Sequence, residues 1–347
     1  MATVVLVTGV SRYLGARLAI QLAADKAIER VIGVDTVPPA PELAERLGRV
    51  EFVRADIRNP LIAKVIGTAA VDTVVHLSIA GSPSATGGGR SVMKEMNVIG
   101  TMQLLAACQK SESVRRLVVK STTAVYGASS RDPAAFTEDS EPPSQPRSGY
   151  AKDAMEIEGY LRGFGRRRPD VELCVLRLAS VVGPTISTPL TRYLALPVVP
   201  TVLGFDPRLQ LLHEDDAEAV LLRAALGDYQ GAVNVAGDGI LLLSQAIRRA
   251  GRLVMPVPQP AAGGVGRLLR QFGLVALTPE RTRFLDFGRV VDTTRLVTDF
   301  GYQPRYSTAE ALAEFVRGQH IRPVVEADLV ARTEQGLRGL FGRLSGD

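Results

Sequence analysis

Six short runs of β-branched and other apolar residues, at 4–7, 31–34, 51–53, 73–77, 117–120 and 173–178, are separated by longer stretches with helical spacing. The runs are continuously apolar and do not alternate with polar residues. Strands of that kind are covered on both faces, which requires a parallel sheet with helices on either side. Helical patterns lie at 15–24, 92–110 and 150–163, with a short turn near 61–66. The order predicts an α/β fold, a doubly wound parallel sheet, over residues 1–178.

Past Gly183 and Pro184 prolines and glycines become frequent and the regular alternation stops. Residues 179–330 are expected to form mainly a smaller C-terminal cap over the strand ends, where ligands of such sheets bind. A strand near 232–236 should return to the main sheet, and 331–347 should form a helical tail. Val330, Leu337, Leu340, Phe341 and Leu344 fall near one helical face there. That face docks on its own domain in the simpler reading, and on a partner or a membrane surface in the other. The apolar stretch 262–277 is read as cap core, with a greasy substrate or a partner surface as the alternative.

Composition narrows the function classes. With 46% apolar and 22% charged residues in a chain of 347, a sizeable core is affordable and disorder is not expected. Two cysteines, Cys108 and Cys174, exclude a disulfide framework and suit buried thiols in a reducing cytoplasm. His76, His213 and His320 are far apart in sequence, so no metal site is expected. The net charge of +5 rests almost entirely on arginine, with no basic helix stripe or interleaved aromatics, so nucleic acid is not an expected partner. The run Arg166-Arg167-Arg168 reads as solvated surface. No apolar run reaches the ~20 residues of a transmembrane span, and the N-terminus lacks a basic leader.

The first strand leads into Thr8-Gly9-Val10-Ser11-Arg12-Tyr13-Leu14-Gly15 and then a helix. Gly9 suits a tight turn, Gly15 suits close packing of helix on sheet, and the helix start offers unpaired N–H groups to a pyrophosphate. Twenty residues beyond Gly15, the second strand ends in Asp35. A carboxylate there accepts from an adenosine ribose and repels a 2′-phosphate, which favours NAD over NADP. Arg12 and Tyr13 stand where a middle glycine is usual. Either Arg12 points outward, or its guanidinium makes the phosphate contact that a close backbone approach would otherwise make.

Together with motifs downstream, these residues resemble the extended short-chain dehydrogenase/reductase family, its NAD-dependent epimerase/dehydratase group, and most of all its actinobacterial members. Arg54-Ala55-Asp56-Ile57-Arg58 is similar to the third-strand acid and its hydrophobic neighbour, and Val74-Val75-His76-Leu77-Ser78 to the fourth strand. Asn97-Val98-Ile99-Gly100-Thr101 resembles the following helix, and Ser121-Thr122-Thr123-Ala124-Val125-Tyr126-Gly127 the catalytic stretch of the fifth strand. Glu138-Asp139 with Pro142, Gly183-Pro184, His213-Glu214-Asp215-Asp216 and Asn234-Val235-Ala236-Gly237 fall in family order. The resemblance implies a Rossmann-type domain with a substrate-binding cap. It implies a cofactor site of Gly9, Arg12, Tyr13, Leu14, Gly15, Asp35, Asp56, Ile57, Leu77, Ser78, Asn97 and Tyr150. It also implies Tyr150 as the base that takes a hydroxyl proton, Thr122 as the holder of that hydroxyl, and a homodimer built on the helices at 92–110 and 150–163.

Three positions depart from the family pattern. The lysine expected four residues after the tyrosine is Ala154, although Glu158 keeps the register. Lys152 is about 200° around the helix from Tyr150 and should face away. Lys120 shares strand parity with Thr122 and is the candidate stand-in; the alternative sends it to solvent or an acidic neighbour. On the substrate side Ser180 stands for an asparagine, and Leu209 for a diphosphate-gripping arginine, with Arg208 adjacent. Three functions follow: an NAD-dependent oxidoreductase or epimerase acting on a nucleotide sugar or related hydroxylated small molecule; an NAD(P)-binding sensor or scaffold with little turnover; and a reductase of a lipid-like substrate.

Overall fold

The computed structural model describes residues 3–81, 88–141, 143, 145–146, 149–258 and 279–324, with the backbone alone for 279–282. The stretch at 262–277 and the tail at 331–347 lie outside the described residues, and with them the features that motivated a lipid-like substrate or a docking tail.

Seven strands form one parallel sheet: β1 (Val4–Thr8), β2 (Arg30–Asp35), β3 (Glu51–Arg54), β4 (Thr73–His76), β5 (Arg116–Thr122), β6 (Glu172–Leu178) and β11 (Gly231–Val235). Their order is β11-β6-β5-β4-β1-β2-β3, the reversal falling beside β1 as in a doubly wound Rossmann-type sheet. Side chains of β1 alternate between two cores. Val5 and Val7 join Leu18 and Leu22 of α1 (Tyr13–Ala24) and Leu221 of α8 (Glu214–Leu226). Val4 and Leu6 join Ile62 of α3 (Leu61–Thr68), Leu105 of α5 (Gly100–Lys110) and Leu161 of α6 (Gly149–Arg167). The strand expected near 232–236 is β11, paired with β6.

Three local features differ from the sequence expectation. A helix, α2 (Pro41–Leu47), follows β2 in a proline-rich stretch that carries no clear apolar stripe. The expected helix at 92–110 begins as α4 (Arg90–Lys94), passes through a π turn at Glu95–Ile99, and continues as α5. That π turn directs Asn97 inward, where it is fully buried. The strand expected at 117–120 runs on through Ser121 and Thr122, because both pair with β6. β5 therefore outreaches β4, whose last residue His76 pairs with Val119.

The second half adds β7 (Ser180–Val182), α7 (Pro189–Leu194), β8 (Val198–Val202), β9 (Arg208–Leu209), β10 (Leu211–His213), β12 (Leu241–Leu242), α9 (Leu243–Arg249) and β13 (Leu253–Val257). α10 (Pro279–Phe287), α11 (Thr294–Thr298) and α12 (Thr308–Gly318) complete it. Three small sheets, β10-β7, β12-β9 and β13-β8, surround a separate apolar core that includes Leu209, Leu211, Ile247 and Phe315. No described helix is long and apolar enough to cross a membrane, and no group of acidic, histidine and cysteine side chains among the described residues could hold a metal. Arg168, from the basic run, donates to the carbonyls of Cys108, Gln109, Ser111 and Val114, so it closes the end of α5.

Candidate active site

The turn between β1 and α1 is built on two glycines. Gly9 has φ +78°, and its amide donates to Val34 O at 2.8 Å, locking the turn to β2. A β-carbon on Gly15 would lie 2.1 Å from Gly9 O, so the helix rests directly on the turn's backbone. Arg12 is the N-cap of α1 and gives its amides no side-chain cap. Tyr13 turns its phenol away, 2.5 Å from Thr185 Oγ1 and accepting from Arg17 at 2.6 Å, while Leu14 packs on the core. The start of α1 thus presents main-chain donors and no carboxylate in its first turn, the chemistry a pyrophosphate requires.

Asp35 ends β2 with its carboxylate folded back toward that turn. Oδ2 accepts from Ser11 N at 3.2 Å and Oδ1 from Thr36 N at 2.8 Å. Asp56, the third-strand acid of the expected cofactor site, is gripped by Arg58, whose Nη2 lies 2.6 Å from its Oδ2. That hydrogen bond holds the Asp56 carboxyl below its usual range. Ile57 is buried under Gly100, where a β-carbon would come within 2.9 Å of it.

The chain leaving β4 collects one functional side chain at each of four successive residues. Arg12 donates to Ser78 O at 3.0 Å, and Lys120 Nζ donates to Ile79 O at 3.1 Å. Asn97 bonds both main-chain groups of Ala80, accepting from its N at 2.8 Å and donating to its O at 3.0 Å. Gly81 lies against the Tyr150 ring, 3.9 Å from Cε1 to where its β-carbon would be. Arg12 therefore does not simply point outward: its guanidinium turns in toward the chain that leaves β4, donating to Ser78 O. Lys120, half-buried, pairs with a main-chain carbonyl and, among the described residues, with no acid.

Beneath this strip runs a fully buried chain of hydrogen bonds. Leu77 N donates to Thr8 Oγ1 at 3.1 Å, Thr8 Oγ1 lies 2.8 Å from His76 Nδ1, and His76 Nε2 lies 2.9 Å from Thr101 Oγ1. Thr101 in turn donates to Asn97 O at 2.5 Å. With its one proton given to Asn97 O, Thr101 accepts from His76 Nε2, so Nδ1 accepts from Thr8, which assigns His76 as the neutral Nε2–H tautomer. Burial, with the charges of Lys120 and Arg12, pushes the His76 pKa down to about 3.

Thr122 caps a 3₁₀ turn at Thr123–Tyr126, its Oγ1 accepting from Ala124 N at 3.2 Å. Its own proton remains available to an oxygen in the cleft. Ser121 beside it donates to Glu158 at 2.6 Å, and Glu158 pairs with Arg177 at 2.7 Å. Arg177 also donates to Tyr126 Oη at 2.7 Å, and Tyr126 donates to Asn234 at 2.8 Å. This buried network anchors the carboxyl end of β5 and is not legible locally, since its members come from four separate segments. Arg90, another unread residue, grips the fully buried Asp153 with two bonds of 2.7 and 2.6 Å.

Ala154 is buried in the apolar core, and Lys152 lies on the outer face beside Glu156. No ammonium projects from α6 next to Tyr150. On the cap side, Ser180 opens β7 half-buried, whereas Arg208 donates to Ala134 O at 2.9 Å and Pro133 O at 3.4 Å. Arg208 thus ties a loop to the cap, and Leu209 is fully buried. His213 accepts from Asp215 N at 3.1 Å as the N-cap of α8 and stacks on Tyr306 at 3.8 Å.

The glycine turn, the acid on β2, Thr122 at the end of β5 and Tyr150 in the first turn of α6 fit a dinucleotide. The comparisons agree with this geometry. The family model described as NAD dependent epimerase/dehydratase family matches residues 5–234. An uncharacterized protein of Mycobacterium tuberculosis is 50% identical over 340 residues, covering 98% of this chain and 90% of its own. A putative UDP-arabinose 4-epimerase of Arabidopsis thaliana is 26% identical over 52% of this chain and 42% of its own. Among solved structures, a dTDP-glucose 4,6-dehydratase from Streptomyces venezuelae with NAD bound superposes with TM-score 0.70 at 23% identity, over 92% of this chain and 97% of that one. A UDP-glucuronic acid 4-epimerase from Bacillus cereus, in complex with UDP-glucuronic acid and NAD, gives 0.70 at 20% identity, over 92% and 99%.

Proposed function

Because the chain belongs to the NAD dependent epimerase/dehydratase family, we propose that it is an oxidoreductase or epimerase that passes hydride between NAD and a hydroxyl-bearing carbon of a nucleotide sugar or a related substrate. The observation that carries this reading is the meeting of Asp35 with the glycine turn: Ser11 N of that turn donates to the carboxylate at 3.2 Å. A ribose diol and a pyrophosphate can then be held by one loop. A 2′-phosphate would bring its charge against Asp35, which supports NAD over NADP.

A dinucleotide, when bound, would supply the hydride acceptor. Gly9, Gly15 and the amides of Tyr13 and Leu14 would hold its pyrophosphate, and Leu77, Ser78 and Asn97 would border it. Thr122 donates to the substrate hydroxyl while Tyr150 takes that hydroxyl's proton. Ser180 and Arg208 are the cap residues proposed to border the substrate. The dTDP-glucose and UDP-glucuronic acid relatives support a nucleotide sugar as the class.

A second reading, a dinucleotide-binding protein with little turnover, is favoured by Ala154, whose buried methyl replaces the charge beside Tyr150. Exposed Ile99, Met102 and Tyr160 on the helices at 90–110 and on α6 support a homodimer through that face. Cys108 and Cys174 are buried free thiols, which burial pushes up to about 12, and they support a reducing cytoplasm.

The test is to incubate the protein with NAD and UDP- or dTDP-sugars and to follow absorbance at 340 nm together with epimer formation. Turnover that falls at least ~100-fold in Tyr150→Phe supports the enzyme reading. Tight NAD binding without turnover on any sugar nucleotide moves the weight to the second reading.

A further inference from the structure

Lys120 is an unusual lysine. Its ammonium is held against Ile79 O at 3.1 Å, and among the described residues it forms no ion pair. The preceding carbonyl in the chain, Ser78 O, receives a second cation, Arg12, at 3.0 Å. Two like charges on adjacent carbonyls, partly withdrawn from water, disfavour each other, an effect that the Asp35 carboxylate offsets in part at Arg12. Burial and the charge of Arg12 push the Lys120 pKa down to about 8.

Arg12, at the start of α1, and His76, on β4, are electrostatically coupled to Lys120, and Asp35 at the end of β2 acts on Arg12. Tyr150, on α6, lies against Gly81. The nearest buried carboxylate on α6, Asp153, is occupied by Arg90. Ile79, which holds Lys120, and Gly81, which lies against the Tyr150 ring, are two residues apart, at most ~7 Å of chain.

We propose that Lys120, backed by Arg12 on the neighbouring carbonyl, brings to the Tyr150 phenol the positive charge that Ala154 does not supply, reaching it from the end of β5 instead of from α6. Lys120 is thus a positioning residue that acts through Tyr150. A free phenol titrates near pKa ~10, so about one in a thousand is ionised at pH 7. A cation held nearby favours the phenolate, and the phenol's proton leaves to solvent. The role rests on the reading of Tyr150 as the base. It explains how a member lacking the helix lysine can keep a working tyrosine, and why β5 outreaches β4 at this point.

The test compares the full-length protein with Lys120→Met and Lys120→Arg, each checked for fold by circular dichroism. Tyr150 is titrated from pH 6 to 11 as the ultraviolet difference between each protein and the same protein carrying Tyr150→Phe, and NAD binding is measured by calorimetry. Lys120→Met is expected to raise the phenol midpoint by at least one unit, a tenfold loss of phenolate at fixed pH, and Lys120→Arg to restore most of it. A midpoint unmoved in a folded Lys120→Met protein overturns the inference. Should that variant not fold, Lys120→Gln carries the same comparison. NAD binding by the wild type with an unmoved midpoint sinks the inference and leaves the enzyme reading standing. A moved midpoint without NAD binding does the reverse.

Discussion

Gly9 and Gly15 are in direct backbone contact across the first turn: the carbonyl oxygen of Gly9 occupies the place, 2.1 Å away, that a β-carbon of Gly15 would need. The atom in the way is backbone at the tightest point of the strand-to-helix connection, and it cannot swing aside. α1 begins where it does because residue 15 has no side chain, and the amides at its start are aimed accordingly.

Gly15→Ala is therefore expected to shift the start of α1, to weaken NAD binding at least ~100-fold and to destabilise the fold by about 2–4 kcal/mol. Gly48 provides the contrast. It has φ +57° but nothing within 4 Å of its would-be β-carbon. Gly48→Ala should cost ~1 kcal/mol from its backbone conformation alone and leave binding intact. Urea denaturation and calorimetry of both variants check the pair.

The Glu158–Arg177 pair is nearly sealed from water, with side chains 6% and 11% exposed. Glu158→Ala leaves the Ser121 hydroxyl without its acceptor and the Arg177 cation without its carboxylate, with only the neutral Tyr126 Oη and Glu138 O still accepting from it. The expected loss is about 3–5 kcal/mol in chemical denaturation. Glu158→Gln, which keeps an acceptor, should lose less. Equal losses would mean that the charge, not the volume or the acceptor, matters at this position.

His76 gives the protein an acid-sensitive limb. Its folded pKa of about 3 lies below the ordinary value of 6.5, so below pH 6.5 the unfolded chain takes up a proton that the folded chain refuses. The stability from neutral His76 is complete above pH 6.5 and is lost as pH falls toward 3, by at most about 5 kcal/mol. Stability measured from pH 7.5 to 4 should fall less steeply in His76→Asn than in the wild type, although the variant is less stable at pH 7.

Lys120 predicts a second pH dependence, in binding. Its folded pKa is lowered to about 8, so its charge is present below that pH and disappears above it. NAD affinity should fall several-fold between pH 7 and 9.5, with net proton uptake on binding near pH 8.5. Calorimetry in buffers of different ionisation enthalpy reads both effects. Lys120→Arg, permanently charged, should flatten the dependence.

Much of the architecture is legible because covered parallel strands must be apolar on both faces, as the fully buried stretch Val4–Thr8 illustrates. Asp35 and the glycine turn are legible for a similar reason, since local spacing dictates them. What escapes is set by long-range partners. Arg12 could be placed at the helix start, but its direction is decided by Ser78, 66 residues away. Asn97 could be placed on a helix, yet the π turn exists where its amide bonds Ala80. α2 escapes because Val37-Pro38-Pro39 obscures the local pattern, even though Pro41 is a fitting first helical residue. Arg208 keeps the residue type of an anion-gripping arginine, while the carbonyls of Pro133 and Ala134 claim its guanidinium.

The most direct measurement is calorimetric titration of the purified protein with NAD and with NADP, alongside mass spectrometry of any nucleotide released on denaturation. The account predicts that NAD binds, at least ~10-fold tighter than NADP, and that Asp35→Ala narrows the difference. A protein that carries no nucleotide and binds neither cofactor would contradict it.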